Sequence, residues 1–169
     1  MRLPDPEVGC SSFKSPVSYI DYLKVHLPPN ITFGLIRAEH TKLVNSTWPH
    51  RFKNSKWIFE ALIERETGYG IFVNNRLVSW VFIREIGPLF HLYTLEEERR
   101  KGYGTLLLKM ACNLWLSENK PVFAFLFRSQ DEATSLLKKL GFVESEEVAW
   151  VRILKKDLQP RPPSPQEIS

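Results

Sequence analysis

Residues 94 to 105 read Thr94-Leu95-Glu96-Glu97-Glu98-Arg99-Arg100-Lys101-Gly102-Tyr103-Gly104-Thr105, with three acids, three bases and two glycines one residue apart. Glycines at this spacing let main-chain N–H groups turn outward without Cβ clashes. Where they open a helix, its unpaired first amides and positive dipole end converge on the same point. Such a turn suits phosphate oxygens. Arg99, Arg100 and Lys101 add positive charge beside it, so a ligand bearing a di- or triphosphate is a natural partner. A glycine-containing tight turn with a solvated charged face fits the same residues. The dinucleotide pattern G-x-G-x-x-G fails at Leu107, and G-x-x-x-x-G-K-[ST] does not occur.

Two side chains nearby could move protons. Glu97 is flanked by Glu96 and Glu98, whose charge raises a carboxyl pKa, and by Arg99 and Arg100, which lower it, so the sign of the shift stays open. His91 has an unperturbed pKa near 6.5 that suits proton transfer, although a lone strand histidine is more often structural. Cys112 falls in an apolar helical pattern without a basic partner and reads as an inert core thiol. His26, His40, His50 and His91 lack metal-ligand spacing, and no metal is expected. Trp48, Trp57, Trp80, Trp115 and Trp150 are spread over different elements, so core packing is expected of each.

The elements that must position these residues follow from periodicity and punctuation. Ile31 to Arg37 reads as a strand, and Asn54 can cap a helix carrying Ile58, Ala61 and Leu62. Tyr69 to Val73 and Leu77 to Ile83 are strands joined by Asn74-Asn75-Arg76, a hairpin signal because Asn tolerates positive φ. Pro88 to Leu95 is a further strand. Gly102-Tyr103-Gly104 then opens a helix with Leu107, Met110, Ala111 and Leu114 on one side, stopped by Asn119 and Pro121. Val122 to Phe127 is a continuous apolar run suited to the middle of a sheet and buried on both faces. Ser129 to Glu132 fits a capping box before a helix with Ala133, Leu136, Leu137 and Leu140, ended by Gly141. A last strand is expected from Val148 to Leu154. The predicted order is β, α, α, β, β, β, α, β, α, β, an α/β (α+β) fold with a mixed sheet covered by helices.

With 169 residues there is room for one domain and tails. A 43% hydrophobic content with 11 Phe and 5 Trp excludes global disorder. The net charge of +4 favours anionic ligands. The basic residues are interrupted by acids without aromatic interleaving, which argues against nucleic acid. No apolar run approaches the roughly 20 residues of a membrane span, so a soluble protein without a membrane partner is expected. Asp5 and Glu7 stand where a secretory or mitochondrial leader needs other residues, and the compartment stays open between cytoplasm and mitochondrion. Cys10 and Cys112 suggest no disulfide framework. Residues 1–29 read as an amino-terminal extension, with a short helix over Val17 to Leu23. Residues 30–154 read as the folded domain and 155–169 as a flexible Pro-rich tail.

The 94–105 segment resembles the pyrophosphate loop of the GNAT superfamily of acyl-CoA-dependent N-acyltransferases. The motif [QR]-x-x-G-x-[GA] is met by Arg99, Gly102 and Gly104. The strand Leu92-Tyr93-Thr94-Leu95 before it, the apolar strand after the helix, and the ending Lys139-Leu140-Gly141-Phe142 stand in that superfamily's order. A closer resemblance covers about Ile31 to Phe142. Thr32-Phe33-Gly34-Leu35-Ile36-Arg37, Leu43-Val44-Asn45-Ser46-Thr47-Trp48, Val78-Ser79-Trp80-Val81 and His91-Leu92-Tyr93-Thr94-Leu95 are similar to the carboxyl-terminal domain of glycine N-acyltransferases.

The resemblance implies a GNAT fold, mostly antiparallel with helices on both faces, and transfer of an acyl group from acyl-CoA or acetyl-CoA to the amine of glycine or another small amino acid. It implies that Tyr93, Thr94 and Leu95 offer main-chain groups to the pantetheine arm. The pyrophosphate would be held by Arg99, Arg100, Lys101, Gly102, Tyr103, Gly104 and Thr105. Glu97 aligns with the glutamate that serves as base, with His91 as the competing base; the oxyanion donor would be a main-chain N–H near Thr94 or Leu95. Gln130 stands where the superfamily has an Asn at the start of the second helix, and Leu137 where many members carry the acid Tyr. Trp80 and Ser79 lie on a strand beside this site. The short region before Ile31 is a further departure from glycine N-acyltransferases. The alternative is a non-catalytic acyl-CoA-binding or protein-interaction domain with a degenerate site.

Overall fold

The computed structural model describes residues 10–15, 27–84 and 86–148. Seven strands form one sheet: β1 (Cys10–Lys14), β2 (Ile31–Leu35), β3 (Gly68–Val73), β4 (Arg76–Ile83), β5 (Pro88–Thr94), β6 (Phe123–Phe127) and β7 (Val143–Val148), in the spatial order β2-β3-β4-β5-β6-β1-β7. Every neighbouring pair is antiparallel except β5 and β6. The helices are α1 (Thr41–Thr47), α2 (Lys56–Glu64), α3 (Tyr103–Ser117) and α4 (Asp131–Lys139). α3 is the crossover that a parallel pair requires.

The β3–β4 hairpin turns at Asn74 and Asn75, with φ of 49° and 64°, as the sequence predicts. Strand β4 is the most buried, every residue after Arg76 being covered. Val78, Val81 and Ile83 pack with Leu107, Leu108, Ala111, Cys112 and Trp115 of α3 and with Leu137 of α4. Leu77, Trp80 and Phe82 pack on the opposite face with Val44 of α1 and Phe59 and Leu62 of α2. The two sets divide the strand's apolar side chains between its faces, so β4 separates two cores.

Several expectations are corrected. Cys10–Lys14, placed by sequence in an amino-terminal extension, is a strand between β6 and β7. β6 does lie inside the sheet, but only Ala124 on it is buried, so its apolar run is not covered on both faces. The expected last strand is displaced: β7 spans Val143–Val148, and residues 149–154 lie outside the described residues, as do Val17 to Leu23 and the 155–169 tail. Neither expected helix cap is made. Ser55 rather than Asn54 precedes α2, Gln130 rather than Ser129 precedes α4, and neither caps with its side chain. Trp57 is 59% exposed and takes no part in a core. No described helix is long and apolar enough to cross a membrane.

Candidate active site

The site is built where β5 leaves β6. The two parallel strands pair only at Pro88–Phe123 and Leu89–Ala124. Immediately beyond, β5 carries a bulge: Trp80 pairs with Tyr93 and Phe82 with Phe90, so two residues of β5, His91 and Leu92, oppose the single Val81 of β4. His91 takes the extra turn at φ 51°. A bulge bends its strand and raises the local twist. Past it, β5 runs from Phe90 to Thr94 without β6 on that side, while β6 stays paired to β1 through Phe127. The result is a cleft between two parallel strands, closed at Leu89 and open at their carboxyl ends.

The loop from β5 to α3 lies at the open end. After a 3-10 turn over Glu96–Glu98, Arg100 takes φ 64° and Gly102 φ 85°. The outward turn expected of two glycines is thus made by Arg100 and Gly102, and Gly104 lies within the helix. Leu106 N–H donates to the Gly102 carbonyl at 3.0 Å, so the amides of Tyr103, Gly104 and Thr105 are those that a helix start leaves unpaired. A Cβ on Gly104 would stand 3.5 Å from Thr94 Oγ1, so the first turn of α3 packs directly on the end of β5. The Thr94 hydroxyl bonds Ser79 Oγ at 2.8 Å, and Ser79 Oγ donates to the Tyr93 carbonyl at 3.0 Å. Ser79 is fully buried and pins this end of the strand.

The loop's charges are mostly partnered. Lys101 pairs with Glu98 at 2.8 Å, which raises its pKa. Arg99 donates to the Thr94 carbonyl at 3.2 Å and lies over the Tyr93 ring at 5.5 Å. Arg100 is exposed and has no acidic partner among the described residues. Gln130 follows β6 at the same end of the cleft, its Oε1 accepting the Phe127 N–H at 3.0 Å.

The two proposed bases differ in setting. Glu97 is exposed and bonded to Arg76 of the β3–β4 hairpin; its own main-chain amide and then the Arg76 guanidinium hold its carboxyl below the usual value. Its flanking acids therefore do not set the sign. His91 faces the α1–α2 core among the rings of Phe59, Trp80, Phe90 and Tyr93. Its Nε2 lies 3.0 Å from the Val44 carbonyl and 3.2 Å from Thr47 Oγ1. A carbonyl only accepts, so Nε2 carries the proton. Burial lowers the pKa of His91 to about 4 against the opposing pull of the Val44 bond. Cys112 is buried, its thiol pushed up to about 12. Leu137 is 2% exposed in the core. Among the described residues, no cluster of three His, Cys, Asp or Glu side chains could hold a metal ion. Arg76 was missed as a site residue, and Ser79 was expected only to lie on a strand beside the site, without its bond to Thr94. Arg76 meets Glu97 from a distant hairpin, and only strand register aligns Ser79 with Thr94.

Residues 68–151 match a family model described as FR47-like protein. Among solved structures, a Drosophila protein superposes with a TM-score of 0.75 at 23% identity, over 84% of this chain and 49% of that one. A putative GNAT-family acetyltransferase from Novosphingobium aromaticivorans superposes with a TM-score of 0.61 at 15% identity, over 83% of this chain and 61% of that one. The chain has the GNAT fold. Arabidopsis thaliana Naa50 in complex with the bisubstrate analogue CoA-Ac-MVNAL superposes with a TM-score of 0.57 at 18% identity, covering 69% of this chain and 85% of that one. Comparison with curated proteins by sequence finds no match. The chain spans about half the length of the Drosophila protein and about three fifths of the Novosphingobium one.

Proposed function

We propose that this chain is an acyl-CoA-dependent N-acyltransferase whose acceptor is the amine of glycine or another small amino acid. The observation that carries the reading is the cleft between β5 and β6, leading to the unpaired amides at the start of α3. An extended amide-bearing arm can lie along the exposed edge of Phe90–Thr94 as an added strand would. A pyrophosphate then falls at the Arg100–Thr105 turn, with Tyr93, Thr94 and Leu95 beside the pantetheine and Gln130 across the cleft. The Naa50 complex with a CoA bisubstrate analogue supports a CoA-bearing donor. The amino acid acceptor rests on the resemblance to glycine N-acyltransferases.

In the reaction the amine nitrogen attacks the thioester carbonyl, the C–S bond breaks, the amine's proton passes to a base and the thiolate leaves. We assign the base to Glu97, which is ionised at neutral pH. His91, with its proton on Nε2 directed at Val44, is assigned to holding β5 against α1. A main-chain N–H near Thr94 or Leu95 is the oxyanion donor. With Leu137 buried at the usual tyrosine position, the CoA thiolate is released to solvent.

A second reading, a non-catalytic acyl-CoA-binding domain, is favoured by three observations: Leu137 is buried, Glu97 is held by Arg76, and His91 has a low pKa. One experiment separates the two. Calorimetric titration with acetyl-CoA is expected to show binding, and addition of glycine or another small amino acid to the same protein is expected to release free CoA thiol. Glu97→Gln is expected to lower kcat by about 100-fold or more and leave acetyl-CoA affinity within about twofold. Binding without thiol release over the amino acid series establishes the second reading. Absence of binding overturns both.

A further inference from the structure

The α1–α2 connection presents two large aromatic side chains to solvent: Phe52 is 56% and Trp57 59% exposed, and neither joins a hydrophobic core. Their exposure is built into an ordered segment. Trp48 packs edge-on against Phe59 and Phe90, at 5.5 and 5.7 Å between ring centroids. The Ser55 hydroxyl donates to Asn45 Oδ1 at 2.7 Å, and the Ser55 N–H donates to the Phe52 carbonyl at 3.0 Å. The Arg51 guanidinium donates to the Ser46 carbonyl at the end of α1. The chain between the two rings is therefore folded back on α1, and neither ring is buried by it.

The charge around them is mostly positive. Residues 40–59 contain Lys42, Arg51, Lys53 and Lys56 and no Asp or Glu. All four cations are exposed. Lys56 is paired with Glu60 at 2.9 Å, while Arg51 gives its hydrogen bond to a neutral carbonyl and so keeps its full charge. Exposed Trp and Phe beside cations, with the nearest acid, Glu60, already paired to Lys56, are what a segment lying in a lipid headgroup layer needs. The rings enter the interface and the cations meet anionic headgroups.

We infer that the α1–α2 connection, through Arg51, Phe52, Lys53 and Trp57, docks on the surface of an anionic lipid bilayer. This departs from the expectation of no membrane partner, because the absence of a spanning run bears on insertion and not on surface contact. The His50 ring lies 6.5 Å from that of Phe127 at the carboxyl end of β6, so docking would bring the mouth of the β5–β6 cleft near the bilayer. The inference does not depend on the proposed acyl transfer.

The test is co-sedimentation of the full chain with phosphatidylcholine vesicles, alone or containing 30% phosphatidylserine (~0.3 mole fraction), at low and high salt. Binding is expected only to the anionic vesicles and is expected to weaken with salt. Lys53→Gln is expected to weaken it by about fivefold, the effect of one cation at an anionic surface. The double variant Phe52→Ala, Trp57→Ala removes only exposed side chains and is expected to fold, with an unchanged circular dichroism spectrum, and to lose binding by tenfold or more. No binding to anionic vesicles overturns the inference, as does undiminished binding by the folded double variant. Binding to soluble polyglutamate that depends on both rings, without vesicle binding, overturns it in favour of an acidic protein partner.

Discussion

His91 combines a bulge conformation, a ring-lined setting and a protonated Nε2 turned to the end of α1. These have a consequence for stability. The pKa of His91 in the folded chain is about 4, below its ordinary 6.5, so between those values the unfolded chain binds the extra proton. Stability attributable to this residue is therefore complete above pH 6.5 and falls as pH drops towards 4, by about 3 kcal/mol over that window. Urea midpoints from pH 7 to 4 are expected to fall more steeply for the wild type than for His91→Asn, which keeps a side chain tolerant of positive φ. Equal slopes would show that His91 is not the group responsible. Glu97 was picked out by its position after the strand, and the charged run around it was legible. Its ion pair with Arg76, on a hairpin 21 residues earlier, was not, because a pattern along the chain does not say which side chains meet across it.

At the scale of elements, the cleft depends on where β5 stops pairing with β6, and Gly87 sits at that root. Its N–H donates to the Arg84 carbonyl at 2.7 Å and its carbonyl accepts from Phe123 N–H at 3.1 Å, next to the Pro88–Phe123 pair. It has φ 100°, and a Cβ there would stand 2.2 Å from the Pro121 carbonyl oxygen. Both the conformation and the contact exclude a side chain. Gly87→Ala is expected to cost about 2 kcal/mol or more, measured as a lowered denaturant midpoint, and to weaken acetyl-CoA binding by spreading the strands at their closed end. A change below about 0.5 kcal/mol would refute the assignment of Gly87 as the cleft's anchor. The hairpin at Asn74-Asn75 and the run of α3 were readable because their signals are local. The bulge at His91 was not, since no residue type demands it and it exists only as a mismatch against β4.

Over the whole molecule, the sheet is completed by its first strand. β1 pairs with β6 on one side and β7 on the other, so a segment near residue 10 joins elements more than 100 residues later. Phe13 is 1% exposed within the larger core, and Lys138 of α4 lies over its ring at 6.0 Å. Phe13→Ala is expected to destabilise the chain by ~3–5 kcal/mol, the range for emptying a buried aromatic site, with an unchanged denaturant slope. Loss of less than about 1 kcal/mol would mean that β1 is peripheral. Docking of the Phe52–Trp57 face belongs to the same scale, because it sets the orientation of the entire sheet to a surface.

The sequence by itself determined what depends on neighbours along the chain: the apolar periodicity of α3, the turn chemistry of the Asn pair and the basic glycine turn before α3. Tertiary structure alone decided which strand lies between β6 and β7, where β5 parts from β6, which proton His91 keeps and which cation holds Glu97. Each of these is a pairing between residues distant in sequence. Its free energy comes from burial and hydrogen bonds formed only once the sheet is assembled.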